Sequence, residues 1–77
     1  MVFKTNNSTY EVDGMEIRRI SGTNPPTNHF SPDGEWKTFK DISSIQINYP
    51  VWISWLDGKY TQTSVVQFIE IQDPMNA

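Results

Sequence analysis

The chain has no cysteine. That excludes a disulfide framework and any thiolate metal site. It has a single histidine, His29, so no second imidazole is on hand for a metal cluster. Basic residues are scarce: six Lys and Arg stand against nine Asp and Glu, a net charge of -3. A protein that neutralises a run of phosphates needs a basic stripe, so a DNA or RNA polymer is not an expected partner. No apolar run approaches the ~20 residues needed to span a bilayer, and no membrane partner is expected. Met1 leads straight into Val2 and Phe3 without a basic n-region or a small-residue cleavage pattern, which reads as a cytosolic protein. The glycine-rich phosphate loops of P-loop and dinucleotide-binding proteins are missing, and no cofactor is expected. At 77 residues the chain reads as one domain, 1–77. A domain this small buries only ~60% of its unfolded surface. With no staple available, a homo-oligomer is expected.

What is present is β-pattern and turn chemistry. Val2–Thr5 alternates apolar and polar, Asn6-Asn7 breaks the run, and Thr9–Val12 resumes it with Tyr10 and Val12 on one face. Asp13-Gly14 is a type I′ hairpin signal, and Met15–Ile20 is expected to return antiparallel. That turn pairs Val12 with Met15, Tyr10 with Ile17 and Ser8 with Arg19. Arg19 then shares a face with Tyr10, Val12, Met15 and Ile17. Arg18 falls on the other face with Thr9, Glu11 and Glu16. The neighbouring arginines therefore have different explanations. Arg18 has carboxylates to pair with, whereas Arg19 sits at the rim of an apolar face and asks for a partner.

The segment Glu16–Trp36 carries both arginines, His29, the first tryptophan and the prolines Pro25, Pro26 and Pro32. Within it Ser21–Gly34 shows no periodicity; a connection of about fourteen residues is long enough to be functional or disordered. Ser31-Pro32-Asp33-Gly34 closes it with turn residues. Glu35–Phe39 fits a short helix or a strand, with strand preferred, and Ile42–Ile47 alternates at period 2. Tyr49–Leu56 is the clearest strand, with Val51, Ile53 and Trp55 on one face. Asp57-Gly58 reads as a second type I′ turn, setting Trp55 against Tyr60, Ser54 against Thr61 and Trp52 against Thr63. Thr63–Ile71 is expected as a long strand ended by Asp73-Pro74, with Met75–Ala77 as a tail. The fold class is all-β: a small antiparallel sheet or barrel-like domain of two hairpins joined by a long loop.

Catalytic readings find little to work with. His29 stands in a loop with no motif tying it to a serine, and Asp33, Glu35 and Asp57 sit at turns where acids are ordinary. The expectation is a protein that is not an enzyme. Binding readings find more. Trp52 is expected beside Thr61 and Thr63, a ring next to a row of hydroxyls, with a Thr-rich solvent face as the structural alternative. Trp36 follows the closing turn of the loop, where it either stacks on a ligand ring or covers the core. Arg19 is a candidate for a small anionic ligand, since one or two well-placed arginines suffice for a phosphate.

The ordering N-S-T-Y-E-V-D at Asn7–Asp13, R-R at Arg18-Arg19, a Gly/Asn/Pro loop, D-G-E-W at Asp33–Trp36 and T-x-T-S at Thr61–Ser64 resembles small phage-encoded proteins. Among these are oligomeric sponges that sequester bacterial immune nucleotides. Anti-CBASS sponges bind cyclic dinucleotides, and Thoeris antagonists bind cyclic ADP-ribose isomers. The resemblance implies a cyclic nucleotide held unhydrolysed in a groove between subunits, in the cytosol of an infected cell. It adds Tyr10, Arg18 and Ser64 to the candidates Arg19, Trp36, Trp52, Thr61 and Thr63. A protein-interaction module that inhibits a host protein and a virion accessory protein are the rival readings.

Overall fold

The computed structural model describes residues 1–71. The strand end expected at Asp73-Pro74 and the tail after it lie outside them. The fold is all-β. Strands β1 (Val2–Thr5), β2 (Ser8–Asp13) and β3 (Glu16–Gly22) come first, followed by a 3-10 turn at Asn28–Phe30. Then come β4 (Lys37–Thr38), β5 (Asp41–Ile42), β6 (Trp52–Ser54), β7 (Tyr60–Gln62) and β8 (Val66–Glu70). They form a five-stranded sheet, β4-β3-β2-β1-β8, and a three-stranded sheet, β5-β6-β7, rather than a closed barrel. Every pairing is antiparallel.

The first hairpin keeps its expected faces but not its expected register. Asp13 pairs with Glu16, Val12 with Ile17, Glu11 with Arg18 and Tyr10 with Arg19. The loop is therefore Gly14-Met15, with Gly14 at φ 58, in place of Asp13-Gly14. A glycine at the first loop position suits this two-residue connection, because only glycine takes positive φ there without strain. The slip is two residues, an even number, so no side chain changes face. Ile17 and Arg19 point inward and are buried, while Arg18 is half-exposed on the outer face. A bulge beyond Tyr10 then leaves Ile20 without an opposite residue, since Thr9 pairs with Ser21.

The second hairpin differs by one residue, and the consequence is larger. Ser54 pairs with Tyr60, Ile53 with Thr61 and Trp52 with Gln62. The Trp55 amide donates to the Lys59 carbonyl at 2.8 Å, so the loop is Leu56-Asp57-Gly58 rather than Asp57-Gly58 alone. Gly58 sits at φ 84, and Asp57 Oδ1 accepts from the Lys59 amide at 2.9 Å. A three-residue loop with glycine in the left-handed region is the next commonest hairpin solution. An odd shift turns β7 over. Thr61 and Thr63 are thereby placed on the inner side with Val51, Ile53 and Trp55, not beside Trp52 as expected. Trp52 instead meets Tyr60, ring centroids 5.4 Å apart, on the outer face.

Four expected strands shorten. Tyr49–Leu56 keeps Trp52–Ser54, Thr63–Ile71 keeps Val66–Glu70, the 42–47 alternation keeps only Ile42, at the end of β5, and Glu35–Phe39 contributes just Lys37–Thr38 at the edge of the larger sheet. The run after Thr63 crosses from one sheet to the other. The Thr63 amide donates to the Val51 carbonyl at 2.9 Å, and β8 then pairs along β1.

The core lies between the sheets. Phe3, Ile17, Val51, Ile53 and Val66 are fully buried, with Tyr10, Phe30, Phe39 and Trp55 packed among them. An aromatic chain joins the layers. Phe3 stacks on Tyr10 at 5.0 Å, Tyr10 meets Phe30 at 5.0 Å, and Phe30 and Trp55 form a T-shaped pair at 5.4 Å. Phe30 comes from the long loop, not from a strand. Truncating a buried phenylalanine typically costs ~3–5 kcal/mol. Phe30→Ala is therefore expected to lower stability by about that amount in urea unfolding. A loss below about 1 kcal/mol would mean the loop is not part of the core.

Candidate functional site

The long loop does not hang free; Arg19 ties it down. Its side chain is 4% exposed. Nε donates to the Ser21 carbonyl at 3.4 Å, and Nη2 donates to the Asn24 carbonyl. Asp33 Oδ1 lies 3.6 Å from Nε. The Gly34 amide, at the far end of the loop, donates to the Arg19 carbonyl at 2.7 Å. The partner that Arg19 calls for in the sequence is thus its own loop. Gly22 is the residue that makes room: a Cβ there would lie 1.7 Å from Arg19 Nη2.

Folding the loop this way creates a pocket of about 170 Å³ between the ends of β2 and β3, the loop and the segment after β7. It collects Tyr10, Arg19, Thr61, Thr63 and Ser64 from the candidate set. It adds Asn7, Asn24, Thr27, Phe30 and Gln62, which the sequence did not single out. The turning over of β7 delivers the hydroxyls here. The other candidates lie elsewhere. Arg18 pairs with Glu11, Nε to Oε1 at 2.8 Å, and its guanidinium stacks on Trp36 at 4.7 Å. Both face away from the pocket on the outer side of β3. Trp52 stands on the outer face of the smaller sheet, 43% exposed.

The pocket hydroxyls are not equivalent. Thr63 Oγ1 donates to the Ser64 carbonyl at 2.7 Å and accepts from the Val51 amide at 3.0 Å, so its work is structural. Thr61 Oγ1 accepts from Trp55 Nε1 at 2.8 Å, and Ser64 Oγ accepts from Asn7 Nδ2 at 2.9 Å. Having accepted, each still has its own proton to give. Arg19 Nη1 takes part in none of the loop bonds above and carries further donors. Among the described lining residues there is no carboxylate. The pocket wall is therefore rich in donors, with one guanidinium behind it.

No protein-family model, no curated protein and no solved structure matches this chain. The site has to be judged on its own chemistry.

Arg19 supports the loop, so its removal is expected to be felt in the fold as well as in the pocket. Arg19→Ala removes its bonds to the carbonyls of Ser21 and Asn24, and a hydrogen bond to a charged group contributes ~1.5–3 kcal/mol. Arg19→Lys should restore only part of the loss, because an ammonium cannot span two carbonyls with a planar fork. Gly22→Ala should destabilise to a similar extent by displacing the guanidinium. Denaturant midpoints of the three variants check this, and unchanged midpoints would show that the loop stands without the clamp.

Proposed function

We propose that this protein binds and sequesters a small phosphorylated ligand of the cyclic nucleotide class without altering it. One observation carries the reading. Tyr10, Arg19, Thr61 and Ser64, drawn from distant parts of the chain, converge on a single donor-rich pocket. A phosphate oxygen accepts from hydroxyls and guanidinium alike, and charge-assisted bonds of this kind contribute ~1.5–3 kcal/mol each.

Size sets how such a ligand would sit. Drug-sized ligands occupy ~300–1,000 Å³, more than the 170 Å³ available here. One pocket takes a phosphate and part of a sugar. A cyclic dinucleotide would extend beyond it, and a second copy of the chain would hold the other half. Binding and oligomerisation are then linked, and a variant that sediments as a monomer should bind weakly.

The test uses native mass spectrometry of the protein with a panel of linear and cyclic nucleotides. A retained cyclic nucleotide that is recovered intact after heat denaturation is the expected result. A cleaved product would make the protein an enzyme. Ser64→Ala should weaken retention about tenfold, the equivalent of ~1.4 kcal/mol, with unfolding unchanged. Retention unaffected by Ser64→Ala would place the ligand elsewhere.

A second reading has its own observation. Tyr49, Trp52 and Tyr60 are all strongly exposed, and Tyr49 and Trp52 border a groove of about 430 Å³ with Pro50. Exposed aromatic clusters are typical anchors of protein interfaces. If no nucleotide is retained, inhibition of a host protein through this face becomes the better account.

A further inference from the structure

We propose that the outer face of the smaller sheet docks a proline-rich segment of a partner protein, held in the polyproline II conformation. The docking rests on the second reading above. It is independent of the nucleotide pocket, which shares none of the groove's lining residues. β6 is the central strand of its sheet, and Ile53 fills the inner side. Trp52 therefore projects outward, and so does Tyr60 from the neighbouring β7. Their ring centroids are 5.4 Å apart and their planes cross at 45°. Tyr49, 61% exposed, and Pro50 continue this surface into the groove of about 430 Å³.

The groove is built before any partner arrives. On one side the Ser43 amide donates to the Trp52 carbonyl at 2.9 Å, and Ser43 Oγ accepts from the Trp52 amide at 2.9 Å. On the other the Tyr49 amide donates to the Gln46 carbonyl at 3.2 Å. The Tyr49 carbonyl accepts from the amide of Val66, a core residue, at 3.0 Å. A site fixed in advance loses less conformational freedom on binding.

The chemistry of the rings selects the occupant. No lining residue is charged, so acidic and basic motifs find no counterion. Strand addition is closed off, because β6 is paired on both sides. What remains is ring surface edged with donors. Trp55 gives its indole N–H to Thr61, whereas that of Trp52 and the hydroxyls of Tyr49 and Tyr60 have no partner among the described residues. An α-helix satisfies its own carbonyls and has no use for such donors. A polyproline II segment has no internal hydrogen bonds, so its carbonyls are open to them. Its shape is set before binding, and aromatic-lined grooves are its usual seat. A neutral sugar also stacks on rings, but its hydroxyls donate as well, and no carboxylate lines the groove to receive them. One polyproline II turn advances about 9 Å, close to the ~10 Å of a three-residue strand such as β6.

The test is an NMR titration of the full chain with decaproline at millimolar concentration. Three tryptophans give three indole N–H reporters. Trp52 marks the face, Trp36 lies against Arg18, and Trp55 is in the core. A saturable shift of the Trp52 signal, with Trp36 and Trp55 unmoved, is the expected result. A Gly-Ser peptide of equal length, flexible rather than pre-ordered, should shift nothing. Trp52→Ala should weaken decaproline binding at least tenfold, read on the Tyr60 amide. Tyr60→Phe, which removes one hydroxyl, should weaken it about fivefold, the loss of one hydrogen bond. Unchanged unfolding midpoints certify that both variants are folded. No Trp52 shift with decaproline, a shift with cellohexaose in its place, or wild-type binding in both variants overturns the docking. The second reading falls separately, if Trp52→Ala leaves inhibition of a host protein intact.

Discussion

Phe30 wedged between Tyr10 and Trp55 is the contact on which the remaining architecture depends. Neither sheet covers the core alone, and β4 and β5 are two residues each. The loop between β3 and β4 contributes a fully inserted ring, so it acts as a third layer over one end of the sandwich. Burial of one aromatic side chain outweighs any single hydrogen bond available to this loop. Once Phe30 is seated, the positions of His29 and of the pocket wall follow from chain connectivity.

Polar anchoring completes what the ring begins. The loop is held at its start by Arg19 through the carbonyls of Ser21 and Asn24, and near its end by Asp33 and the Gly34 amide. Between these lies the His29–Asp57 bond to the other sheet. A buried guanidinium with backbone acceptors and a carboxylate avoids the large penalty of an isolated charge. The arrangement also divides the labour of the two arginines. Arg18 is locked between Glu11 and Trp36 on the outside, in a half-exposed pair that contributes little. Arg19 shapes the pocket from within, and whatever it offers a ligand comes from the part of its fork that the loop does not use.

The pocket owes its character to an odd number of residues. With Leu56-Asp57-Gly58 as the turn, Thr61 and Thr63 face the core side and Trp52 faces solvent. Hydroxyls and tryptophan, which a shorter turn would have put together, end on opposite faces. One face became a polar recess, and the other an exposed aromatic surface. A donor-rich recess and an aromatic surface suit different kinds of partner, which is why the two functional readings separate so cleanly by location.

The all-β class, the strands at Val2–Thr5 and Thr9–Val12, the middle of the Tyr49–Leu56 run at Trp52–Ser54, the buried faces of Ile17, Arg19, Val51, Ile53 and Trp55, and the opposed fates of the arginines were all legible in the residues. Period-2 alternation reports which side of a strand is apolar, and that information is local. Register was not legible, because Asp-Gly is compatible with loops of two or three residues and one residue decides which face looks inward. An even slip at Gly14-Met15 was harmless, whereas the odd slip at Gly58 moved Thr61 and Thr63 into the site. The division into two sheets, the crossing of the chain after Thr63 to pair β8 with β1, and the insertion of Phe30 left no periodic signal at all. They depend on contacts between residues far apart in the chain, so packing free energy across the whole fold decided them, and only the tertiary structure displays the result.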